Sequence, residues 1–282
     1  LLTGAVLPVA SAAPTPAAIP ALAPAAAPAA GLVAWYPLDE ESGSVAKDAS
    51  GSNRNASVKG AATWNHGSGF TFSGGPASSG NAIKLPDNLL ASLDSITVSM
   101  DVWVDPALNG NHFVYNLGNE AVGTPQSGKG YLFSTTLPQY RATISSAAWG
   151  NEQVTKAGSA VAKSTWKRLS YTQTGSVGVL YEDGKEVARN TAVTTTPAQI
   201  GGGTTTKNIL GASAYSADAS FKGRLRDVRI YDRALAASDV AELAVEGREQ
   251  LAVEDADAAV AALGFLAVGD RAFREKCYTR ID

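Results

Sequence analysis

Cysteine and histidine are scarce in this sequence of 282 residues, which contains only Cys277, His66 and His112. A single cysteine cannot form an internal disulfide and excludes a metal site built on several thiolates. Two histidines provide too few imidazoles for the usual zinc sites. The sequence therefore argues against a disulfide-rich protein and against zinc chemistry.

Basic residues are also fewer than acidic ones: the sequence has 23 Lys and Arg and 26 Asp and Glu, which gives a net charge of −3. A nucleic-acid-binding surface needs clustered basic side chains to meet the phosphates. We therefore expect no nucleic-acid partner. Apolar residues make up 45% of the chain, which is enough for a substantial core. The length fits one large all-β domain or two small domains.

The apolar run at the N-terminus is much shorter than the ~20 residues that a membrane-spanning helix requires, so we expect no membrane association. Small residues of A-x-A type follow this run, as in the cleavage site of a secretory signal. We interpret residues 1–13 as a truncated signal peptide and residues 14–30 as a Pro/Ala-rich linker. The mature protein is expected to be secreted, and a secreted chain without cystine favours a bacterial source.

Short extended segments dominate residues 31–245 and are separated by Gly, Ser, Pro and Asn, the residues that favour turns. About a dozen strand candidates, with no long helical period before residue 236, predict an all-β fold with two antiparallel sheets, a sandwich or jelly roll. Asp183 and Gly184, between two alternating runs, predict a type I′ hairpin turn. Residues 246–282 are predicted to be a helical linker or the start of a downstream domain.

Alternation along residues 95–104 predicts which face of a strand is buried. The apolar set consists of Ile96, Val98, Met100, Val102 and Val104. The opposite set consists of Thr97, Ser99, Asp101 and Trp103. This pattern is typical of an antiparallel sheet with one packed and one open face, and it places Trp103 on the open face.

The chain carries, in order, the segments LVAWYPLDEESGSVAKDASGSNRNASV, SITVSMDVWVDP, TWKRLSYTQTGSVGVLYEDGKEV and FKGRLRDVRIYDRALAASDVAELA. Together they resemble the laminin-G-like, concanavalin A-like jelly-roll family over residues 31–245. Bacterial members of this family are commonly appended to secreted glycoside hydrolases. The resemblance implies that the last strand returns beside the first and leads into a short helix over the end of the sandwich. The region after residue 245 is similar to a segment that precedes the catalytic domain in actinobacterial arabinan- and xylan-degrading enzymes.

The acidic residues show no catalytic pattern. Glycanases of this shape carry acidic side chains at alternating positions of one strand, where they meet in a cleft as nucleophile and general acid. No such run is found, and neither histidine lies in a lyase pattern or near a G-x-S-x-G motif. We therefore assign no catalytic residue, and a glycanase or lyase with an unusual site stays open as an alternative.

Aromatic and polar side chains instead indicate sugar binding, because aromatic faces stack on the C–H-rich faces of sugars while polar groups take the hydroxyls. The predicted carbohydrate-binding residues are Trp103, Trp149, Tyr140, Arg141, His112 and Asn116. We expect a non-catalytic module that binds a plant or microbial polysaccharide and targets a tethered catalytic domain to it. An adhesion or domain-packing module that binds protein is the alternative.

A structural calcium ion is the second predicted ligand. Asp48 and Asn53 lie in a Gly- and Ser-rich loop that offers oxygen ligands, and the resemblance pairs this loop with an acid on the final strand, here Asp227. The preceding position, often acidic in relatives, is Arg226, whose cation could form an ion pair in place of the metal. Asp48 could also cap its own loop in an Asx turn.

Overall fold

The computed structural model of the protein describes residues 29–65, 68–77 and 80–248. The predicted signal peptide (1–13) lies outside this range, as do residues 14–28 of the predicted linker and residues 249–282 of the predicted tail. No helix in the described ranges is long and apolar enough to cross a bilayer.

Most of the described chain is extended, as the sequence predicts, and it includes one α-helix, α1, at 237–248. The strands are β1 (Leu32–Tyr36), β2 (Val45–Ala46), β3 (Ala56–Lys59), β4 (Phe70–Gly75), β5 (Ala82–Lys84), β6 (Ile96–Val104), β7 (Phe113–Gly118), β8 (Ala121–Val122), β9 (Ser127–Gly128), β10 (Tyr131–Thr135), β11 (Arg141–Ser145), β12 (Gln153–Lys156), β13 (Trp166–Thr174), β14 (Val177–Glu182), β15 (Lys185–Asn190), β16 (Ile209–Leu210) and β17 (Ser220–Tyr231). Two 3-10 helices cover Trp149–Asn151 and Pro197–Gly203.

Two large antiparallel sheets form a sandwich. The first sheet has the order β1-β17-β6-β13-β14-β15, with β4 also paired to β17, and the second has the order β12-β11-β10-β7-β16-β5-β3-β2. The last strand lies beside the first, with Trp35 opposite Arg229. This pairing confirms the return of the chain that the family resemblance implies.

The inner faces of the two sheets enclose one apolar core. The apolar set predicted for β6 is fully within it, and Met100 and Val102 are 2% and 0% exposed. The second sheet contributes Leu117, Leu132 and Ile144 from the facing side. Because side chains alternate along a strand, the neighbours of these residues in sequence point to the outer faces.

The outer face of the first sheet is covered, so the prediction of an open face on β6 is wrong. Thr97, Ser99 and Asp101 point outward as the alternation predicts, yet all three are buried. The Thr97 hydroxyl accepts a hydrogen bond from the Leu235 N–H and donates one to the Arg233 carbonyl, which holds the segment before α1 against the sheet. The helix therefore lies on a sheet face, whereas the resemblance implies a helix over the end of the sandwich.

Apolar contacts join α1 to the outer face of the first sheet. They form a second cluster that consists of Val179, Tyr181, Tyr231, Leu235, Val240 and Leu243. The aromatic members come from β14 and β17, and the last two come from the helix. Burial of such side chains contributes roughly 1.5–3 kcal/mol each, so this cluster stabilises the docked helix.

The β14–β15 hairpin has the predicted turn. Asp183 and Gly184 both adopt positive φ, 51° and 80°, as a type I′ turn requires. A side chain on Gly184 would place its Cβ 2.9 Å from the Cα of Ala241 in α1. The glycine is therefore needed twice, for the turn and for the close approach of the helix.

We expect Gly184→Ala to lower the free energy of unfolding by more than Gly175→Ala. Both glycines have positive φ, but a Cβ at Gly175 meets nothing within 4 Å. Left-handed backbone costs an alanine about 1–2 kcal/mol, and the clash with α1 adds about 1–3 kcal/mol at Gly184 alone. Urea unfolding of both variants measures the difference, and equal losses would show that α1 does not pack against this turn.

Candidate functional site

Aromatic side chains lie on the outer face of the second sheet, where β7 and β10 run side by side. The rings of Phe113 and Phe133 stack with centroids 3.8 Å apart, and Tyr131 meets Tyr215 edge to face at 5.9 Å. They belong to a cluster separate from the main core. Phe113, Tyr131 and Phe133 are buried, so other parts of the chain cover this aromatic cluster on the outer face of the second sheet.

A chain of hydrogen bonds links this aromatic cluster to the 3-10 helix that carries Trp149. The backbone N–H of Trp149 donates to the Tyr215 hydroxyl over 2.9 Å. The hydroxyls of Tyr215 and Tyr131 are 2.9 Å apart, and the Tyr131 hydroxyl donates to Glu152 Oε1 over 2.9 Å. Because Tyr131 donates to Glu152, Tyr215 is the donor in the hydroxyl pair. The four groups fix the backbone at Trp149.

Glu152 is a partly buried carboxylate in this network. Burial raises the pKa of its carboxyl, against the opposing effects of the Tyr131 hydrogen bond and the Arg141 charge. Arg141 lies 3.8 Å from Glu152 Oε2 and places its guanidinium 5.1 Å from the Phe133 ring centroid. The aromatic ring and the carboxylate together orient the arginine.

These side chains border a cavity of about 310 Å³, which we call the Trp149 groove. Its lining residues are Asn111, Phe113, Gly123, Arg141, Trp149, Glu152, Tyr215 and Asp218. Trp149 is 59% exposed, so one indole face is available to a ligand. The groove thus combines an exposed aromatic ring with an arginine and two carboxylates.

A second cavity of about 400 Å³ adjoins the groove through the shared residues Asn111 and Arg141. We call it the Lys156 pocket, and its other lining residues are Pro138, Gln139, Val154 and Lys156. Together the two cavities extend along the outer face of β11 and β12. An elongated ligand can therefore contact both.

Comparison with family models matches residues 77–241 to the concanavalin A-like lectin/glucanases superfamily. The match covers more than half of the chain. The chain belongs to this superfamily. No curated protein sequence matches it.

Solved structures with the same fold include a domain with a bound sugar and a sialidase. Domain 4 of a GH43 extracellular arabinanase from Geobacillus stearothermophilus, in complex with arabinotriose, is 21% identical with a TM-score of 0.54, covering 76% of this chain and 98% of that domain. Trypanosoma rangeli sialidase is 20% identical with a TM-score of 0.59, covering 79% of this chain and 34% of the sialidase. This concanavalin A-like chain thus spans about a third of the sialidase's length.

The structure brings two of the predicted carbohydrate-binding residues together. Trp149 and Arg141 both line the Trp149 groove, although seven positions separate them. The β11–β12 connection carries the indole back over the sheet to which Arg141 belongs. His112 lies between the lining residues Asn111 and Phe113 and is half-buried, with its Nδ1 buried and without a hydrogen-bond partner among the described residues.

The other three predicted sugar contacts lie elsewhere. Tyr140 is 2% exposed and lies in the core between the sheets, where its hydroxyl donates to the Ser170 carbonyl. Tyr140 and Arg141 both lie close to Trp149 in sequence, but adjacent residues of an extended segment point to opposite faces, so the arginine faces outward and the tyrosine inward. Asn116 is fully buried, and its Nδ2 donates to the Lys207 carbonyl. Trp103, on the first sheet, is half-buried beneath the guanidinium of Arg224 at 4.5 Å.

The sequence interpretation missed Tyr215, Glu152, Phe113 and Asp218, which line the same groove. They come from three segments that are distant from one another in sequence. One signal was available: Phe113 and Phe133 occupy the outward positions of β7 and β10, where a solvated face would carry polar residues. Aromatic residues on both faces of a strand indicate that its outer face is covered, either by another part of the chain or by a ligand.

The predicted calcium ligands do not fit a cation. Asp48 Oδ1 accepts hydrogen bonds from the N–H groups of Trp35 and Ser50, and its Oδ2 accepts one from Arg54. Both oxygens therefore cap the loop, as in an Asx turn. Asn53 is exposed in left-handed backbone. Within the described ranges, no three or more His, Cys, Asp or Glu side chains group as a metal site.

Asp227 contacts arginines in this chain. Its Oδ2 lies 2.6 Å from Arg168 Nη1, and its Oδ1 accepts from Arg229 Nε at 2.7 Å and from the Trp35 indole at 2.6 Å. Burial alone would raise the pKa of Asp227, but the two guanidinium groups hold it below its usual value. Arg226 pairs instead with Asp101, 3.1 Å away.

The buried charges extend to α1. Arg229 contacts the Glu246 carboxylate through both terminal nitrogens, and Arg226 donates to the Gly247 carbonyl at 2.8 Å. The charged members of this cluster, three of each sign, are Asp101, Arg168, Arg226, Asp227, Arg229 and Glu246. We call them the ion cluster, and it fixes the helix to the first sheet.

We expect Asp227→Asn to destabilise the protein by about 3 kcal/mol or more at pH 7, because the three buried arginines of the ion cluster then have only two carboxylates, those of Asp101 and Glu246. The folded-state pKa of Asp227 lies below the ordinary value of ~3.9, so its stabilisation is fully present above that pH and is lost as the pH falls through the folded pKa. Urea unfolding at neutral and acidic pH should therefore show a difference from wild type that shrinks in acid.

The exposed Asp94, which makes no ion pair in the described chain, provides the matched control. Asp94→Asn removes the same charge without leaving a buried cation. An equal loss of stability in both variants would contradict the assigned role of the ion cluster.

Proposed function

We propose that this chain is a non-catalytic carbohydrate-binding module whose ligand site is the Trp149 groove. The observation that carries the proposal is the exposed indole of Trp149, on a backbone that the hydroxyls of Tyr215 and Tyr131 hold in place. Sugar sites need a flat aromatic face that is already in position, with a few polar groups that take the hydroxyls. Arg141, Glu152 and the neighbouring carboxylate of Asp218 supply these polar groups.

The structural neighbours support a polysaccharide as the ligand. The arabinanase domain has arabinotriose bound, and one sialidase structure contains sialic acid. At about 20% identity these matches establish the shared fold, and the ligand assignment rests on the groove itself. An arabinan- or xylan-type polysaccharide is the proposed class.

The proposed role of the module is targeting. A secreted bacterial glycoside hydrolase that carries this module would be held near its insoluble substrate, because one weak sugar contact raises the effective concentration of the tethered catalytic domain. Secretion of the protein and its attachment to a catalytic domain are both part of what we propose.

Trp149→Ala should reduce retention of the chain on arabinan or arabinoxylan about fivefold or more, since an aromatic–ligand stack contributes roughly 1 kcal/mol or more. Trp103→Ala is the control, because that indole lies on the first sheet beneath Arg224. Affinity electrophoresis with both variants checks the effect, after urea unfolding has shown that each is folded.

If Trp103→Ala alone lost retention, the ligand site would lie on the first sheet and not in the Trp149 groove. Failure of the wild type to bind any glycan, combined with Trp149-dependent binding of a separately produced catalytic domain, would favour the domain-packing alternative.

A glycanase is the second candidate, because Glu152 and Asp218 line the same groove. Glycosidases use two carboxyl groups, one of them with a raised pKa, and burial raises the pKa of Glu152. Each carboxylate also accepts a hydrogen bond inside the protein, from the hydroxyls of Tyr131 and Ser213 respectively. Carboxylates that internal hydrogen bonds hold in position are suited to accept hydrogen bonds from sugar hydroxyls, which is a binding role.

We expect the wild-type chain to release no reducing sugars from arabinan or xylan, while Glu152→Gln weakens binding by removing a charged acceptor. A reducing-end assay and affinity electrophoresis, run on the same preparations, check both statements. Sugar release by the wild type that disappears in Glu152→Gln would overturn the binding function in favour of catalysis.

A further inference from the structure

Two cations lie directly opposite each other at the edge of the second sheet. Arg141 on β11 is the cross-strand partner of Lys156 on β12, the outermost strand of that sheet. Directly opposed side chains point to the same face, and like charges in this position destabilise a strand pair. The pair therefore costs stability unless an anion comes between or beside the two cations.

The protein itself neutralises this pair only in part. Lys156 forms no ion pair within the described residues, and Arg141 has a single, distant carboxylate partner, Glu152 at 3.8 Å. The Arg141 Nε–H is buried and finds no acceptor in the described part of the chain. The Phe133 ring beneath the guanidinium fixes its position. Arg141 and Lys156 therefore carry positive charge that no close carboxylate of the described chain neutralises.

The space beside the pair has the size and lining of a ligand site. The Lys156 pocket has a volume of about 400 Å³, within the usual range for small-ligand sites. Two amides, from Asn111 and Gln139, join the two cations, and Pro138 and Val154 supply the apolar wall. The lining contains no carboxylate, so no negative charge of the protein borders this pocket.

We propose that the Lys156 pocket binds the carboxylate of an acidic sugar, a uronic acid unit of the polysaccharide that occupies the Trp149 groove. The planar fork of an arginine matches the two oxygens of a carboxylate, and a lysine adds a second charge. Asn111 and Arg141 border both cavities, so one chain can place a neutral unit on the indole and a charged unit between the cations. This inference rests on the proposed function and adds the substrate class.

The test compares four glycans on the intact chain by affinity electrophoresis: polygalacturonate, its methyl ester, neutral arabinan and dextran sulfate. The ester removes the charge and keeps the sugar. We expect the free acid to bind roughly tenfold more tightly than the ester, as a charge-assisted hydrogen bond implies. We expect Lys156→Gln to abolish this preference.

Lys185→Gln is the matched control, because Lys185 is exposed on β15 of the other sheet and forms no ion pair in the described chain. It should leave the preference intact. Equal binding of the acid and the ester overturns the uronate site, and so does a preference that survives Lys156→Gln. In either case, binding of arabinan that is lost in Trp149→Ala still supports the proposed function. Equal, Lys156-dependent binding of dextran sulfate overturns the assignment to a carboxylate, and binding of no glycan at all overturns the proposed function itself.

Discussion

The buried ion cluster beneath α1 decides which surface of this sandwich is available. Arginines on β13 and β17 meet aspartates on β6 and β17, and the helix adds Glu246 and the Gly247 carbonyl. Opposite charges in equal number are tolerated inside a protein only when each is paired. Docking of the helix therefore completes the pairing and closes the outer face of the first sheet around this cluster, and the proposed ligand site lies on the second sheet.

Arginine–aromatic stacking extends this arrangement along the final strand. The guanidinium groups of Arg224, Arg226 and Arg229 lie over the rings of Trp103, Trp166 and Trp35 at 4.5, 5.3 and 4.6 Å. A cation over an indole gains electrostatic stabilisation that grows when water is excluded. Three of the five tryptophans therefore serve the structure of the first sheet, and Trp149 differs from them in being largely exposed.

The Trp149 groove shows how a sandwich can assemble a site from distant segments. Phe113 and Phe133 form a buried stack beneath the groove, the hydroxyls of Tyr131 and Tyr215 fix the neighbouring backbone, and Arg141 projects from β11 beside them. Each contribution depends on cross-strand register, because a shift of one residue would turn every side chain to the opposite face. The same register sets Lys156 beside Arg141.

The sequence alone determined the longer strands, the turn at Asp183 and Gly184 and the inward face of β6, because these depend on local alternation and on the backbone freedom of glycine. It also indicated Trp149 and Arg141. It did not indicate short strands such as β12, which pairs with β11 at the edge of the second sheet. It could not place Tyr140 in the core, bury Asn116 or bring Tyr215 to Glu152, since these outcomes depend on which strands become neighbours. Only the tertiary structure decided that α1 covers the first sheet and that arginines pair with Asp227, because long-range contacts and desolvation determine the partners of a buried charge.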